Sequence, residues 1–356
     1  MNTKIKDFSG ENVYVGFDVH KRSWQVSIMT DYASYKSFSQ PPSVEKLIKY
    51  LHTNFSGASY YSAYEAGFCG FWIHRELEKL GVNSIVVNPA DIPTTQKDQV
   101  QKEDKRDSKK IAKGLRNGDL QGIYVPSEKS VEDRGLVRIR QLLVKDSIRY
   151  KARIKGFLHF HGISIPDSFS SSSSHWSKRF ISWLKSIEMK SESGRYSLEI
   201  LIREVESLRM NILETTRQIK TLSETERYAS NISLLRSIPG IGLITGMTFL
   251  TEIDRIDRFE SSDKLCSFIG LVPTMHSSGE KEIHGNITYR SNHLLRRMLI
   301  ESAWIAIRYD PALMRAYHQY CKRMEANKAI IRIARKLLTR IQFVLTNKKM
   351  YEKLTY

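Results

Sequence analysis

Cysteine is scarce in this chain: Cys69, Cys266 and Cys321 are the only three in 356 residues. They lie far apart, so they fit neither a zinc site nor a disulfide framework, and such sparse use points to a reducing cytoplasm. No run of 18 or more apolar residues occurs, which excludes a membrane-spanning helix. The polar, mixed-charge N-terminus does not read as a signal peptide. A strongly amphipathic terminal helix and a lipidation motif are also missing, so a membrane surface is not the expected partner. Acidic residues are outnumbered: 38 Asp and Glu face 56 Lys and Arg, for a net charge of +18. That excess favours a polyanionic partner, most simply nucleic acid. No zinc-finger or homeodomain pattern reads DNA sequence directly. The charged fraction of 26% and hydrophobic fraction of 41% are those of a globular protein, and the length suits two or three domains.

What is present begins with Val13-Tyr14-Val15-Gly16-Phe17-Asp18-Val19, a short buried strand ending in a carboxylate. Val13, Val15, Phe17 and Val19 alternate onto one face, and Tyr14, Gly16 and Asp18 onto the other. The apolar run Trp24 to Met29 follows a polar turn, so the pair reads as a hairpin. Val44 to Phe55 is an amphipathic helix with Leu47, Ile48 and Leu51 inward. Tyr60 to Glu65 is an aromatic strand that again ends in an acid. Phe71 to Leu80 is a helix stopped by Gly81, and Ser84 to Val87 a third buried run. Strands alternating with helices predict an α/β unit with parallel pairing, in which groups at the carboxyl ends of neighbouring strands share one crevice. Asp18 and Glu65 occupy such ends. Taken alone, an acid at a strand end reads equally as a solvated surface residue.

Residues 102–115 read as a helix whose stripe includes Ile111 and Leu115. Asp104 and Asp107 are three apart and share a face, with Asp107 one turn before Ile111. The alternative is a solvated charge run rich in lysine. If the four carboxylates Asp18, Glu65, Asp104 and Asp107 converge, they repel one another unless a cation sits between them. Magnesium or manganese, hard and oxygen-loving, is the natural occupant.

Val131 to Phe160 predicts a long basic helix. Arg138, Lys145, Arg149 and Lys155 are candidate nucleic-acid contacts, or else a solvated face. Phe169 and the serines after it read as a flexible linker. Leu198, Leu201, Val205, Leu208, Ile212, Thr215, Ile219 and Leu222 then form a heptad seam, within the chain or between chains, and its length favours self-association. Leu234 to Gly242 resembles a helix–hairpin–helix turn, with Gly240 and Gly242 letting backbone N–H groups meet a phosphate, unless it is a plain tight turn. Met275 to Thr288, polar and glycine-punctuated, reads as a loop. An apolar helix carrying Arg296 and Arg297 follows, then a basic C-terminal helical region that includes Arg335.

Gly16-Phe17-Asp18-Val19-His20-Lys21, Tyr64-Glu65-Ala66-Gly67, Asn88-Pro89 and Lys102-Glu103-Asp104-Lys105-Arg106-Asp107 together resemble the transposases of the insertion sequence 110 family. Glu103 stands where that family often has threonine. The resemblance implies a RuvC-like, RNase H-like α/β N-terminal domain with an Asp-Glu-Asp-Asp catalytic set, matched here by Asp18, Glu65, Asp104 and Asp107. Gly270 to Gly279, Gly285 to Thr288 and Leu295-Arg296-Arg297 resemble the family's mainly α C-terminal transposase domain. There a serine before a glycine is the nucleophile. The matching residue is Ser278, with Ser277 as runner-up. The resemblance further implies Mg2+ or Mn2+ as cofactor, donor and target DNA as partners, a guide (bridge) RNA, a dimer or tetramer, and a bacterial, nucleoid-associated location.

The expected layout is a RuvC-like domain over 1–128 and a basic helical and coiled-coil region with a serine-rich linker over 129–230. A transposase domain over 231–320 and a basic helical end over 321–356 follow. The expected activity is that of a DNA transposase or site-specific recombinase. Three rivals remain. A metal-dependent nuclease or Holliday-junction resolvase would use water and need no serine. A non-catalytic nucleic-acid binder would not need its acids. A sugar or acetate kinase, which shares a ribonuclease-H-type core, would show a glycine-rich phosphate loop near the first strand, and none is present.

Overall fold

A computed structural model describes residues 7–92, 104–172, 174–278 and 281–352; for 104–105, 275–278 and 281–284 it describes the backbone alone. The chain divides into two compact units, Met1–Val125 and Pro126–Tyr356.

The first unit is a mixed α/β sheet. Strands β1 (Asn12–Val19), β2 (Trp24–Thr30), β3 (Ser34–Gln40), β4 (Ser59–Glu65) and β5 (Asn83–Val87) lie in the order β3-β2-β1-β4-β5. The first three are antiparallel, while β4 runs parallel to β1 and β5 parallel to β4. The alternation in β1 sets the layers. Val13, Val15 and Phe17 are fully buried, beneath α1 (Val44–Asn54) and α2 (Trp72–Lys79). Phe17 stacks between Trp24 and Tyr64, with ring centroids 5.7 and 5.3 Å away. Ser43 starts α1 by accepting from the Lys46 amide at 3.2 Å, as an N-cap serine does. The opposite face receives α3 (Asp104–Asn117), through Ile111 packed with Ala63, Val87 and Ile92. Strand β3 is absent from the sequence reading. Its residues Ser-Tyr-Lys-Ser-Phe-Ser-Gln lie at the sheet edge and are largely exposed, so no buried face imprints a period on them.

The second unit is mostly helical. Helices α4 (Glu128–Phe160) and α6 (Glu192–Ser223) pack along each other, with α5 (Lys178–Lys185) between them in sequence. They run antiparallel: Ile154 and Leu158 share a core with Leu198, Ile202 and Val205, while Val137 shares one with Ile219. Of the heptad seam, Leu198, Val205 and Ile219 are buried within the chain, while Leu201, Leu208, Ile212, Thr215 and Leu222 are half-buried. The apolar stripe of α4 is the surface it needs. Phe169 is not in a linker. It is buried with Phe180 and Trp183, centroids 5.1 and 5.8 Å away, in a small aromatic core near the far end of the helix pair.

The remaining elements build one large core. They are α7 (Glu226–Arg236), α8 (Leu243–Ile253), α9 (Ser262–Ile269), β6 (Pro273–Ser278), β7 (Lys281–Ile287), α10 (His293–Tyr309), α11 (Pro311–Cys321) and α12 (Ala326–Asn347). The stretch read as a loop from Met275 is an antiparallel hairpin. Its polar strands form a two-stranded sheet, which needs no apolar alternation of the kind a core-covering sheet shows. The basic C-terminal region is no appended arm: Ile330, Ile333, Leu337, Leu338, Ile341 and Val344 of α12 are buried in this core. No helix among the described residues is long and apolar enough to cross a membrane.

Candidate functional site

Asp18 and Glu65 end neighbouring parallel strands. Phe17 lies opposite Tyr64 in the β1–β4 register, so the next residues, Asp18 and Glu65, follow side by side. Side chains alternate along a strand, which turns both acids to the face away from Phe17 and Tyr64. That face is the one α3 covers, and Gly16 shows how closely. A Cβ added there would lie 2.2 Å from the Ala112 nitrogen and 2.4 Å from the Ser108 carbonyl oxygen. Only glycine lets the helix backbone come down on the strand at this point. Ser108 is fully buried, and its hydroxyl is 2.9 Å from that of Ser27, the partner of Gly16 on β2. Asp107, the preceding residue, belongs to the helix that covers this face.

Each of these two aspartates has a basic side chain beside it. His20 Nε2 is 3.1 Å from Asp18 Oδ2, and Lys110 Nζ is 3.3 Å from Asp107 Oδ1. Both carboxylates are partly open to solvent, with side chains 21% and 23% exposed. Among the described residues, no three His, Cys, Asp or Glu side chains form a group that could hold a metal ion. Asp104 begins α3, and its side chain lies outside the described residues. The same holds for Ser278, whose backbone ends β6 and pairs with Lys281 across the hairpin tip.

The root of that hairpin is anchored by residues the sequence assigned to nucleic acid. Arg296 donates to the carbonyls of Gly270, before β6, and Thr288, after β7, at 3.3 and 2.6 Å. Arg138 grips Glu252 with two bonds of 2.6 and 2.8 Å. Glu252 is 3% exposed and also accepts from the Asn292 side chain at 2.9 Å. Asn292 in turn caps α10, accepting from the Leu295 amide at 3.1 Å. One buried carboxylate thus ties α4, α8 and the start of α10 together. Sequence reading missed Glu252 and Asn292, although a lone acid in the apolar run Leu243–Ile253 is a signal of a paired buried charge. Gly240 is also structural. It has φ +88°, and a Cβ there would meet the Ser302 carbonyl of α10, so it serves packing. Gly242 is exposed at the start of α8.

The remaining candidates lie on outer surfaces. Lys145, Arg149 and Lys155 are exposed along α4, with Arg149 3.1 Å from Asp146. Arg297 reaches Gln141 at 3.4 Å, and Arg335 pairs with Asp263 at 2.5 Å.

Two family models match the chain, the first of them running past the boundary at Val125. A transposase family model (DEDD type, IS110) matches residues 15–162, and the model described as "Transposase IS116/IS110/IS902 family" matches residues 232–319. A putative transposase, y4qE, of Sinorhizobium fredii is 30% identical over 84% of this chain and 70% of its own length. The transposase for insertion sequence element IS1533 of Leptospira borgpetersenii is 26% identical over 82% of this chain and 84% of its own length. A pilin gene-inverting protein of Moraxella bovis is 35% identical over a shorter stretch, 34% of this chain and 38% of its own length. With a relative of that identity and coverage, and both family models in order along it, the chain belongs to the IS110/IS116/IS902 family of insertion-sequence transposases.

Proposed function

We propose that this transposase is a DNA recombinase in which Asp18, Glu65, Asp104 and Asp107 form a ribonuclease-H-type centre and Ser278 is the nucleophile. The observation that carries the reading is the adjacency of Asp18 and Glu65 at the ends of parallel strands, on the face covered by the helix to which Asp107 belongs. The strand order β3-β2-β1-β4-β5, with three antiparallel strands followed by two parallel ones, supports a ribonuclease-H-like core. The donor set is all carboxylate oxygen, the chemistry that fits Mg2+ or Mn2+. Bound at these four acids, such an ion would supply charge stabilisation to phosphoryl transfer.

The chain's own contribution is position. Ser278 ends a strand whose root is clamped by Arg296, and its hydroxyl oxygen attacks the scissile phosphorus as the bond to the leaving DNA oxygen breaks. As the new bond forms the hydroxyl proton passes to water and the leaving DNA oxygen takes one up from water, so the exchange balances; until that proton goes, neutral serine is a weak nucleophile. The phosphate ester to Ser278 stores the bond for rejoining, without ATP. The name of the Moraxella relative favours this over hydrolysis, since inversion of a gene requires that cut strands be resealed. Target choice by a guide RNA accords with a basic protein that lacks a sequence-reading motif. Assembly into a dimer or tetramer, with the acids and Ser278 serving one phosphate, belongs to the same proposal.

The test is strand cleavage and covalent capture on DNA spanning an element end. Ser278→Ala is expected to abolish both, and Asp18→Asn to lower cleavage at least a hundredfold. Cleavage at full rate by Ser278→Ala would replace this reading with that of a water-using nuclease. RNA co-purifying with the protein is expected to include a single structured species that pairs with both DNA sites.

A further inference from the structure

A cavity of about 550 Å3 opens in the second unit between the root of the β6–β7 hairpin and the helices α11 and α12. Its size is that of a small-ligand site. Its two sides differ in chemistry. Along α12, Lys328, Arg332 and Lys336, spaced four apart on one face, line one side together with Arg335; Arg335 is paired with Asp263 and Lys328 with Glu325. None of the residues that line it is acidic. The other side is formed by Leu271, Pro273 and Ile287. Tyr320 completes the wall, with the Arg332 guanidinium over its ring at 5.7 Å from the centroid.

We infer that this cavity holds one nucleotide of the DNA strand on which the transposase acts. The cationic side suits a phosphate, and the Tyr320–Arg332 pair is a platform on which a base can stack. The apolar wall distinguishes sugars. A 2′-hydroxyl turned against Leu271, Pro273 and Ile287 would be desolvated with no partner from those three side chains, so a deoxyribose is preferred over a ribose. The concave shape of the cavity, half open to solvent, suits a nucleotide turned out of a duplex or taken from a single strand.

Position links the cavity to the chemistry, and this part rests on the Ser278 reading. Pro273 starts β6 and Ser278 ends it. Five residues of strand span roughly 17 Å, which is about five base steps of duplex. The captured nucleotide therefore lies within about five nucleotides of the scissile phosphate.

The experiment uses the full chain with single-stranded DNA carrying 5-iododeoxyuridine at successive positions, together with salt titrations of binding. Irradiation is expected to crosslink Tyr320 at one position near the cleavage point. Arg332→Ala and Lys336→Ala are each expected to reduce the slope of log affinity against log salt by about 0.7 on a single strand. Arg195→Ala, a paired surface cation on α6, is expected to leave it unchanged. Tyr320→Leu should weaken single-strand binding about tenfold and Tyr320→Phe should not, which separates stacking from misfolding. No crosslink to Tyr320 at any position, an unchanged slope in the Arg332→Ala/Lys336→Ala double variant, or equal competition by RNA of the same sequence would overturn the inference. If Ser278→Ala still cleaves while the Tyr320 crosslink persists, the cavity stands and the nucleophile assignment falls.

Discussion

Replacing Gly16 with alanine should disable the first unit out of proportion to the single methyl group added. The new Cβ would lie 2.2 Å from the Ala112 nitrogen, 2.4 Å from the Ser108 oxygen and 2.8 Å from the Ala112 Cα. All three are backbone atoms of α3, so no side-chain rotation relieves the contact. Reaching an ordinary separation of 3.4 Å requires the helix to retreat from β1 by about 1.2 Å. That movement stretches the buried Ser27–Ser108 bond of 2.9 Å, worth about 1 kcal/mol, on top of an overpacking cost of about 1–3 kcal/mol. The entropy gained by removing a glycine returns only about 0.4–1 kcal/mol. The net loss is about 1–4 kcal/mol, or about 4–16 °C in the midpoint of thermal unfolding of this unit. Activity should fall further than stability, because Asp107 travels with α3 while Asp18 stays on β1. In the role proposed for Asp107, a displacement near 1 Å costs roughly a hundredfold in rate. Thermal unfolding followed by circular dichroism and a strand-cleavage assay would be run side by side, well below the midpoint. Ala112→Gly should not rescue the variant, since the clash is with backbone. A Gly16→Ala protein with unchanged midpoint and full cleavage would refute the close approach of α3 and the placement of Asp107 argued from it.

Other outcomes follow from the same contacts. Gly156 sits inside α4 with nothing within 4 Å of an added Cβ, so Gly156→Ala should stabilise the second unit by about 0.5–1 kcal/mol in urea unfolding. Arg138→Ala leaves the buried Glu252 with Asn292 as its remaining described partner. It should cost about 2–4 kcal/mol, and Glu252→Gln less, because a neutral amide needs no counter-charge. Asp310 is pushed up by burial, but bonds from the Tyr351 hydroxyl and the Leu313 amide, with Arg340 alongside, outweigh this and hold its carboxyl below the ordinary range. Its contribution is present above the unfolded value of 3.8 and is lost as pH falls through the lower folded value. Tyr351, pushed up to about 12 by burial and by Asp310, contributes below pH 10 and loses that contribution between pH 10 and 12. Stability–pH curves should show Tyr351→Phe flattening the alkaline limb alone, whereas Asp310→Asn alters both.

Much of the first unit was legible in the chain because its strands are buried on at least one face. Burial forces the alternation of Val13, Val15 and Phe17 and the apolar run of β5, and so names the strands, their order in sequence and the acids at their ends. The basic excess likewise announced a polyanionic partner. Local sequence could not announce what depends on which surfaces meet. The heptad seam of α6 reads the same whether its partner is α4 or another copy. Gly16 reads as a gap in a strand until α3 is laid over it. The positive charges of Arg138 and Arg296 look available for phosphate until Glu252 and two carbonyls are found against them. The sequence fixes which side chains need burial or a counter-charge, because those needs belong to each residue. Tertiary structure alone decides which partner meets them, since Arg138 and Glu252, or Gly16 and Ala112, are joined by packing between elements far apart in the chain.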